Sequence, residues 1–259
     1  MPPKNTTIYL LRHAHSTANG GGVLAGRDGS VLLSARGEKE AQLLGSALKN
    51  IKFSQVISSP MERCQLTIAP YLALSKQELQ IDDRLNEMEY GNWSGRRLAQ
   101  LSRKKLWSVI QSRPSLVRFP EGESFLEMSA RANQAVNDLF SAQESILIVS
   151  HGDVIKAIVA SQLGLSIDHL QKFAVDPASI TILNISEART TLIRLNDTSH
   201  LATMRPEQPT ATGKTGKTRK TRKIAIWKIP QWTFTSNWFI DHRDLFTIRP
   251  IDVRKQSGI

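Results

Sequence analysis

The stretch Thr6-Thr7-Ile8-Tyr9-Leu10-Leu11-Arg12-His13-Ala14-His15-Ser16 is a short, strand-favouring apolar run that stops abruptly at a cation and a histidine. β-branched and aromatic residues bounded by polar punctuation read as a buried strand with a polar end. The pattern recurs twice: Gln55-Val56-Ile57-Ser58 runs into Ser59-Pro60, and Ser145–Ser150 runs into His151-Gly152. Helical patterns lie between. One is opened by Ser34 as N-cap, with Ala41, Leu43, Leu44, Ala47 and Leu48 on one face. Others start at Ser59-Pro60, cover 123–140, and cover Val154–Leu163 with Gly164 as the stop. Asn19-Gly20-Gly21-Gly22 reads as a loop, and Ile180–Ile185 with Thr191–Leu195 as two closing strands. Strands alternating with helices predict an α/β fold, a three-layer α/β/α sandwich around a mostly parallel sheet. Ligands bind such sheets beyond the carboxyl ends of the strands, so the three polar ends are expected to converge on one site.

The 259 residues are 40% hydrophobic and 22% charged, which excludes a wholly disordered chain and predicts one large domain or one domain plus a short appendage. No apolar run approaches the roughly 20 residues that cross a bilayer, and no secretory signal is read at Met1-Pro2-Pro3-Lys4-Asn5. The single cysteine, Cys64, excludes an internal disulfide and suits a reducing cytoplasm. Of 34 Lys+Arg and 23 Asp+Glu, 12 and 4 fall in residues 201–259, so the tail carries +8 and the first 200 residues +3. The chain therefore divides into a body over 1–200, a basic Thr/Pro/Gly linker over 201–223 and an aromatic-rich extension over 224–259. The linker holds Lys214, Lys217, Arg219, Lys220, Arg222 and Lys223; the extension holds Trp227, Trp232, Phe234, Trp238 and Phe239. A solvated linker ending in an accessory strand is preferred there over a contact surface for nucleic acid or anionic lipid. Gly213-Lys214-Thr215-Gly216-Lys217-Thr218 is no phosphate-binding loop, because Ala211 stands where its first glycine belongs.

Four elements carry chemistry. Arg12-His13 sets a nucleophile or base beside a planar donor fork. His13-Ala14-His15 also matches the His-x-His pair of some metal sites, with His151 and Asp153 as further ligands. Ser58-Ser59-Pro60-Met61-Glu62-Arg63 puts Arg63 in a first helical turn, where backbone N–H groups favour an anion. Cys64 is no cysteine-phosphatase nucleophile, since the arginine required six positions on is Pro70; it reads as a small buried residue. Glu87 and Glu89 are paired carboxylates in Asn86-Glu87-Met88-Glu89-Tyr90-Gly91-Asn92-Trp93-Ser94-Gly95, and His151-Gly152-Asp153 follows a buried strand.

Together, in this order over residues 6–196, these elements resemble the histidine phosphatase superfamily, the phosphoglycerate-mutase-like proteins. Ala14 stands where the family usually has glycine, and His15 where many members carry Glu or Gln. The resemblance implies that His13 attacks phosphorus and becomes phosphohistidine, while Arg12, Asn19, Arg63 and His151 hold the phosphoryl oxygens. His13 must then be neutral, with its other ring nitrogen donating to a fixed acceptor such as a backbone carbonyl. Glu87 stands where the family places its proton donor, with Glu89 as second choice. His15, Gly152, Arg96 and Arg97 are the candidate substrate contacts. No metal and no cofactor is expected, and the partner is a small phosphorylated metabolite; oligomeric state is left open. The Pro120-Glu121-Gly122-Glu123-Ser124 run resembles phosphatase members, and no Arg-Arg-Ser-Tyr-like run follows Gly95. Phosphomonoester hydrolysis is therefore preferred to mutase-type phosphoryl transfer, and both to a silent phospho-ligand binding protein.

Overall fold

The computed structural model describes residues 5–139 and 144–204. In chain order the elements are β1 (Asn5–Arg12), α1 (Thr17–Gly21), α2 (Ala35–Leu48), β2 (Gln55–Ser58), α3 (Glu62–Ser75) and β3 (Leu79–Ile81). They continue with α4 (Leu98–Leu101), α5 (Lys105–Ser112), α6 (Phe125–Asp138), β4 (Ser145–Ser150), α7 (Gly152–Gln162), β5 (Ile180–Ser186) and β6 (Thr190–Asp197). The sheet order is β3-β2-β4-β1-β5-β6. The first four strands pair in parallel; β5 and β6 add an antiparallel edge.

Strand alternation sorts two cores onto the two faces. Ile8, Leu10, Ile146 and Ile148 pack with α6 and α7 residues such as Phe125, Met128, Ile155 and Ile158. Leu11, Val56, Leu147 and Val149 pack with Leu44, Leu48, Ile68 and Tyr71 of α2 and α3. This is the expected three-layer α/β/α arrangement. Gly45 lets α2 lie close on α3, since a Cβ there would sit 2.9 Å from the Pro70 ring. Among the described residues no helix is long and apolar enough to cross a membrane.

Three local expectations shift. The Asn19 glycine run is a helical turn, α1, because the Ser16 side chain and Asn19 close a reciprocal capping box. Helix α3 begins at Glu62, with Met61 as N-cap, rather than at Ser59-Pro60. Ser59 is still strand-tied, its N–H donating to Val149 O at 2.9 Å. Helix α7 begins at Gly152, two residues early, because His151 occupies the N-cap. At the end of the body, Leu201 packs against Ala14, Leu33, Ala41 and Ala178. The expectations for residues 205–259, including the basic linker and aromatic extension, lie outside the described residues.

Candidate active site

Parallel pairing brings the three polar strand ends together. Arg12 of β1 is in register with Ser150 of β4, and Ser58 of β2 with Val149. His13 and His151 leave adjacent strands and stand edge to face, ring centroids 5.3 Å apart.

His13 is buried, and its Nδ1 lies 2.8 Å from Ala14 O. A carbonyl only accepts, so Nδ1 carries the proton and Nε2 keeps its lone pair. Burial first, then the Arg12 and Arg63 cations, hold its pKa well below the ordinary histidine value. The ring is thus neutral and nucleophilic at Nε2. The loop is fixed from behind: Ala14 N–H donates to Thr67 Oγ1 at 2.8 Å, and His13 N–H to Ser150 O at 2.9 Å.

His151 is fully buried, with Nε2 2.8 Å from Ser59 Oγ. Ser59 Oγ accepts from Met61 N–H and can give its own proton to Nε2, the tautomer that places the imidazole proton on Nδ1. That Nδ1 is 3.3 Å from Glu87 Oε2 without hydrogen-bond geometry. Burial, Arg63 and His13 keep the His151 pKa well below its ordinary value.

Arg63, 1% exposed, donates to Gly26 O at 2.7 Å and Asp28 O at 3.3 Å. Arg12 donates through Nη1 to Val175 O at 2.6 Å. Gly152 makes room for it, since a Cβ there would lie 3.3 Å from Arg12 Cζ and Nε. Glu87 faces both arginines. Its carboxyl is pushed up to about 7 by burial, against Arg63, which lowers it, and with Asp153, which raises it. Oε1 accepts from Met88 N–H at 3.0 Å. The Glu87 carbonyl accepts from Arg27 Nε at 2.9 Å and Arg131 Nη2 at 3.0 Å, and Glu123 bonds both of those guanidiniums.

Arg12, His13, Arg63 and Glu87 border one cavity of about 210 Å³, whose wall also includes Asn19, Tyr90, Gly152, Asp153 and Lys156 but not His151. Asn19 spends Oδ1 on the capping box, accepting from Ser16 N–H and Oγ–H at 3.0 and 2.9 Å. Arg12 Nε and His151 Nδ1 are buried polar atoms without a hydrogen-bond partner. Buried donors are nearly always satisfied, so the Arg12 orphan at the cavity wall marks where an acceptor binds.

Other expected contacts do not meet there. His15 is absent from the cavity wall, and its Nδ1 pairs with Ser34 Oγ at 2.8 Å. Arg96 and Arg97 are exposed and Leu98 reaches the wall instead. Glu89 turns outward to Arg27 at 2.7 Å, so the two carboxylates do not share a face. Cys64 is buried with its thiol pushed up to about 12, chiefly by burial. Ser59, Tyr90, Asp153 and Lys156 were missed; only Asp153 stood out in sequence, as a metal ligand. Among the described residues the donor atoms of His13, Glu87 and His151 lie within 4.8 Å of one another, a set from which His15 is missing. A cation there would face two guanidiniums, so the charge of the site favours an anion.

The model of the histidine phosphatase superfamily (branch 1) matches residues 8–198. The chain belongs to that superfamily. Phosphoserine phosphatase 1 of Hydrogenobacter thermophilus is 28% identical over 204 residues, covering 75% of this chain and 93% of that protein. A protein of Erwinia tasmaniensis named as a probable phosphoglycerate mutase is 30% identical over 178 residues, covering 67% of this chain and 82% of its own. The crystal structure of the alpha-ribazole phosphatase from Shigella flexneri has a TM-score of 0.66 at 28% identity, covering 74% of this chain and 96% of that one.

Proposed function

We propose that this chain hydrolyses small phosphomonoesters through a phosphohistidine on His13, without a metal ion. The observation that carries this is the buried, unpartnered donor Arg12 Nε at the cavity wall, beside a histidine whose Nδ1 proton is already committed to Ala14 O.

His13 Nε2 attacks phosphorus as the ester P–O bond breaks, and Glu87 gives its proton to the leaving oxygen. A carboxyl near 7 is suited to that donation at neutral pH. Arg12, Arg63, Asn19 and His151 hold the equatorial oxygens while charge spreads over them. Glu87, now a carboxylate, takes a proton from water as the water displaces His13 from phosphorus. Inorganic phosphate leaves and both groups return to their starting states. Transfer to a second phosphorylated molecule instead of water is the mutase reading.

The test is phosphate release from p-nitrophenyl phosphate in EDTA, comparing the parent with His13→Ala. Turnover that vanishes in the variant supports hydrolysis on His13. A phosphorylated His13 with no release in water assigns mutase chemistry. No label and no release leave a binding protein.

A further inference from the structure

The Arg12-His13 dipeptide leans on one loop. Arg12 Nη1 donates to Val175 O at 2.6 Å, the Arg12 N–H to Ser179 O at 3.1 Å, and the Ala178 N–H to His13 O at 3.2 Å. All three partners lie within residues 175–179, just before β5, and Val175, Ala178 and Ser179 are buried. Ala178 holds φ at 57°, a conformation that alanine keeps only where its surroundings impose it. A guanidinium is planar, so fixing Nη1 on Val175 O also sets where the unpartnered Nε of Arg12 aims.

The loop is gripped from the edge strand of the sheet. Asn196 of β6 accepts from the Asp176 N–H at 2.6 Å through Oδ1 and donates to Asp176 Oδ2 at 2.8 Å through Nδ2. Only this orientation of the amide satisfies both ends, since an N–H only donates and a carboxylate only accepts. Asn196 reaches the loop because β6 is bulged. Ile180 and Ile182 of β5 face Asp197 and Arg194, so β6 carries one residue more than its partner. Asn196 sits at φ 54°, which asparagine tolerates better than most residues, and its N–H donates to Thr181 Oγ1 at 3.2 Å. A clamp that only tied down the sheet edge would serve on any loop. This one holds the residue next to the carbonyl that orients Arg12.

Resting on the phosphatase reading above, we infer that Asn196 is a positioning residue of the phosphate grip. It fixes Asp176, so that the neighbouring Val175 carbonyl holds the Arg12 fork with Nε turned to the phosphoryl oxygens. Asn196 is absent from the cavity wall and acts through Arg12 alone.

The experiment measures the Kd of inorganic phosphate by calorimetry on the full chain, with KM and kcat on p-nitrophenyl phosphate in EDTA and Tm beside it. Asn196→Asp keeps the size of the side chain but sets a carboxylate against that of Asp176. Kd and KM should each rise roughly tenfold, as for the loss of a charge-assisted hydrogen bond. Asp176→Asn alone leaves both bonds possible, and its Kd should stay within about twofold of the parent. The two substitutions together exchange carboxylate and amide, rebuild the pair, and should bring Kd back to within about threefold. Should Asn196→Asp not fold, Asn196→Gly, which suits the same φ, takes its place with the same expected rise. A lowered Tm with Kd unchanged, or a raised Kd that the exchange does not restore, overturns this assignment alone. Phosphate binding that follows the variants, with no ester turned over by the parent, supports the assignment and overturns the phosphatase reading. Neither binding nor turnover in the parent overturns both.

Discussion

Replacing Glu87 by glutamine should stabilise the protein above neutral pH while removing its proton chemistry. Burial raises the Glu87 carboxyl from an ordinary value of 4.5 to about 7, despite the opposing pull of Arg63. Between those values the folded chain holds a proton that the unfolded chain has released. Stability therefore falls as pH rises from 4.5 to 7 and stays lowered above it. At about 1.4 kcal/mol per pH unit the full shift costs about 3 kcal/mol. The side chain keeps 12% of its exposure, so about 2 kcal/mol is the expected recovery in Glu87→Gln at pH 8. Glutamine Oε1 can still accept from Met88 N–H, which isolates the charge as the variable. At pH 4.5 the two proteins should differ by well under half as much, since the folded parent is then protonated. Urea unfolding at both pH values, in phosphate-free buffer, measures the difference. A stability gap that is the same at both pH values, or larger in acid, refutes the reasoning.

Arg63→Lys keeps a charge but loses the fork that bonds Gly26 O and Asp28 O, so kcat/KM on p-nitrophenyl phosphate should fall about 100-fold. Glu123→Gln weakens the joint between Arg27 and Arg131 beneath the Glu87 carbonyl. It should cost about 2 kcal/mol in urea unfolding and lower kcat more than it changes KM. Gly152→Ala puts a methyl 3.3 Å from an Arg12 guanidinium that Val175 O holds in place; KM should rise about tenfold with Tm nearly unchanged.

The sheet and the convergence of its polar strand ends were legible because each rests on local sequence. An apolar run bounded by Arg12-His13 or His151-Gly152 specifies a buried strand with a polar end, and parallel pairing supplies the convergence. A backbone carbonyl as the His13 partner followed from what a neutral nucleophilic histidine requires, and the structure shows it to be that of Ala14. Three other things were not legible. The glycine run at 19–22 looked like a loop because the Ser16–Asn19 capping box outweighs glycine's weak helix propensity. Glu87 and Glu89 are two apart in sequence, yet Arg27, sixty-two residues before Glu89, draws the second outward. Arg96 and Arg97 carry charge suited to an acidic substrate, but the chain turns Leu98 to the cavity in their place.

The most direct test of the account is to mix the protein with p-nitrophenyl phosphate in EDTA, quench in alkali within one turnover, and locate phosphate by mass spectrometry in the parent, Glu87→Gln and His13→Ala. The account predicts a phosphoryl group on His13 that accumulates in Glu87→Gln, because water is no longer activated to remove it, and none in His13→Ala. Phosphate on any other residue, or undiminished hydrolysis by His13→Ala, would contradict it.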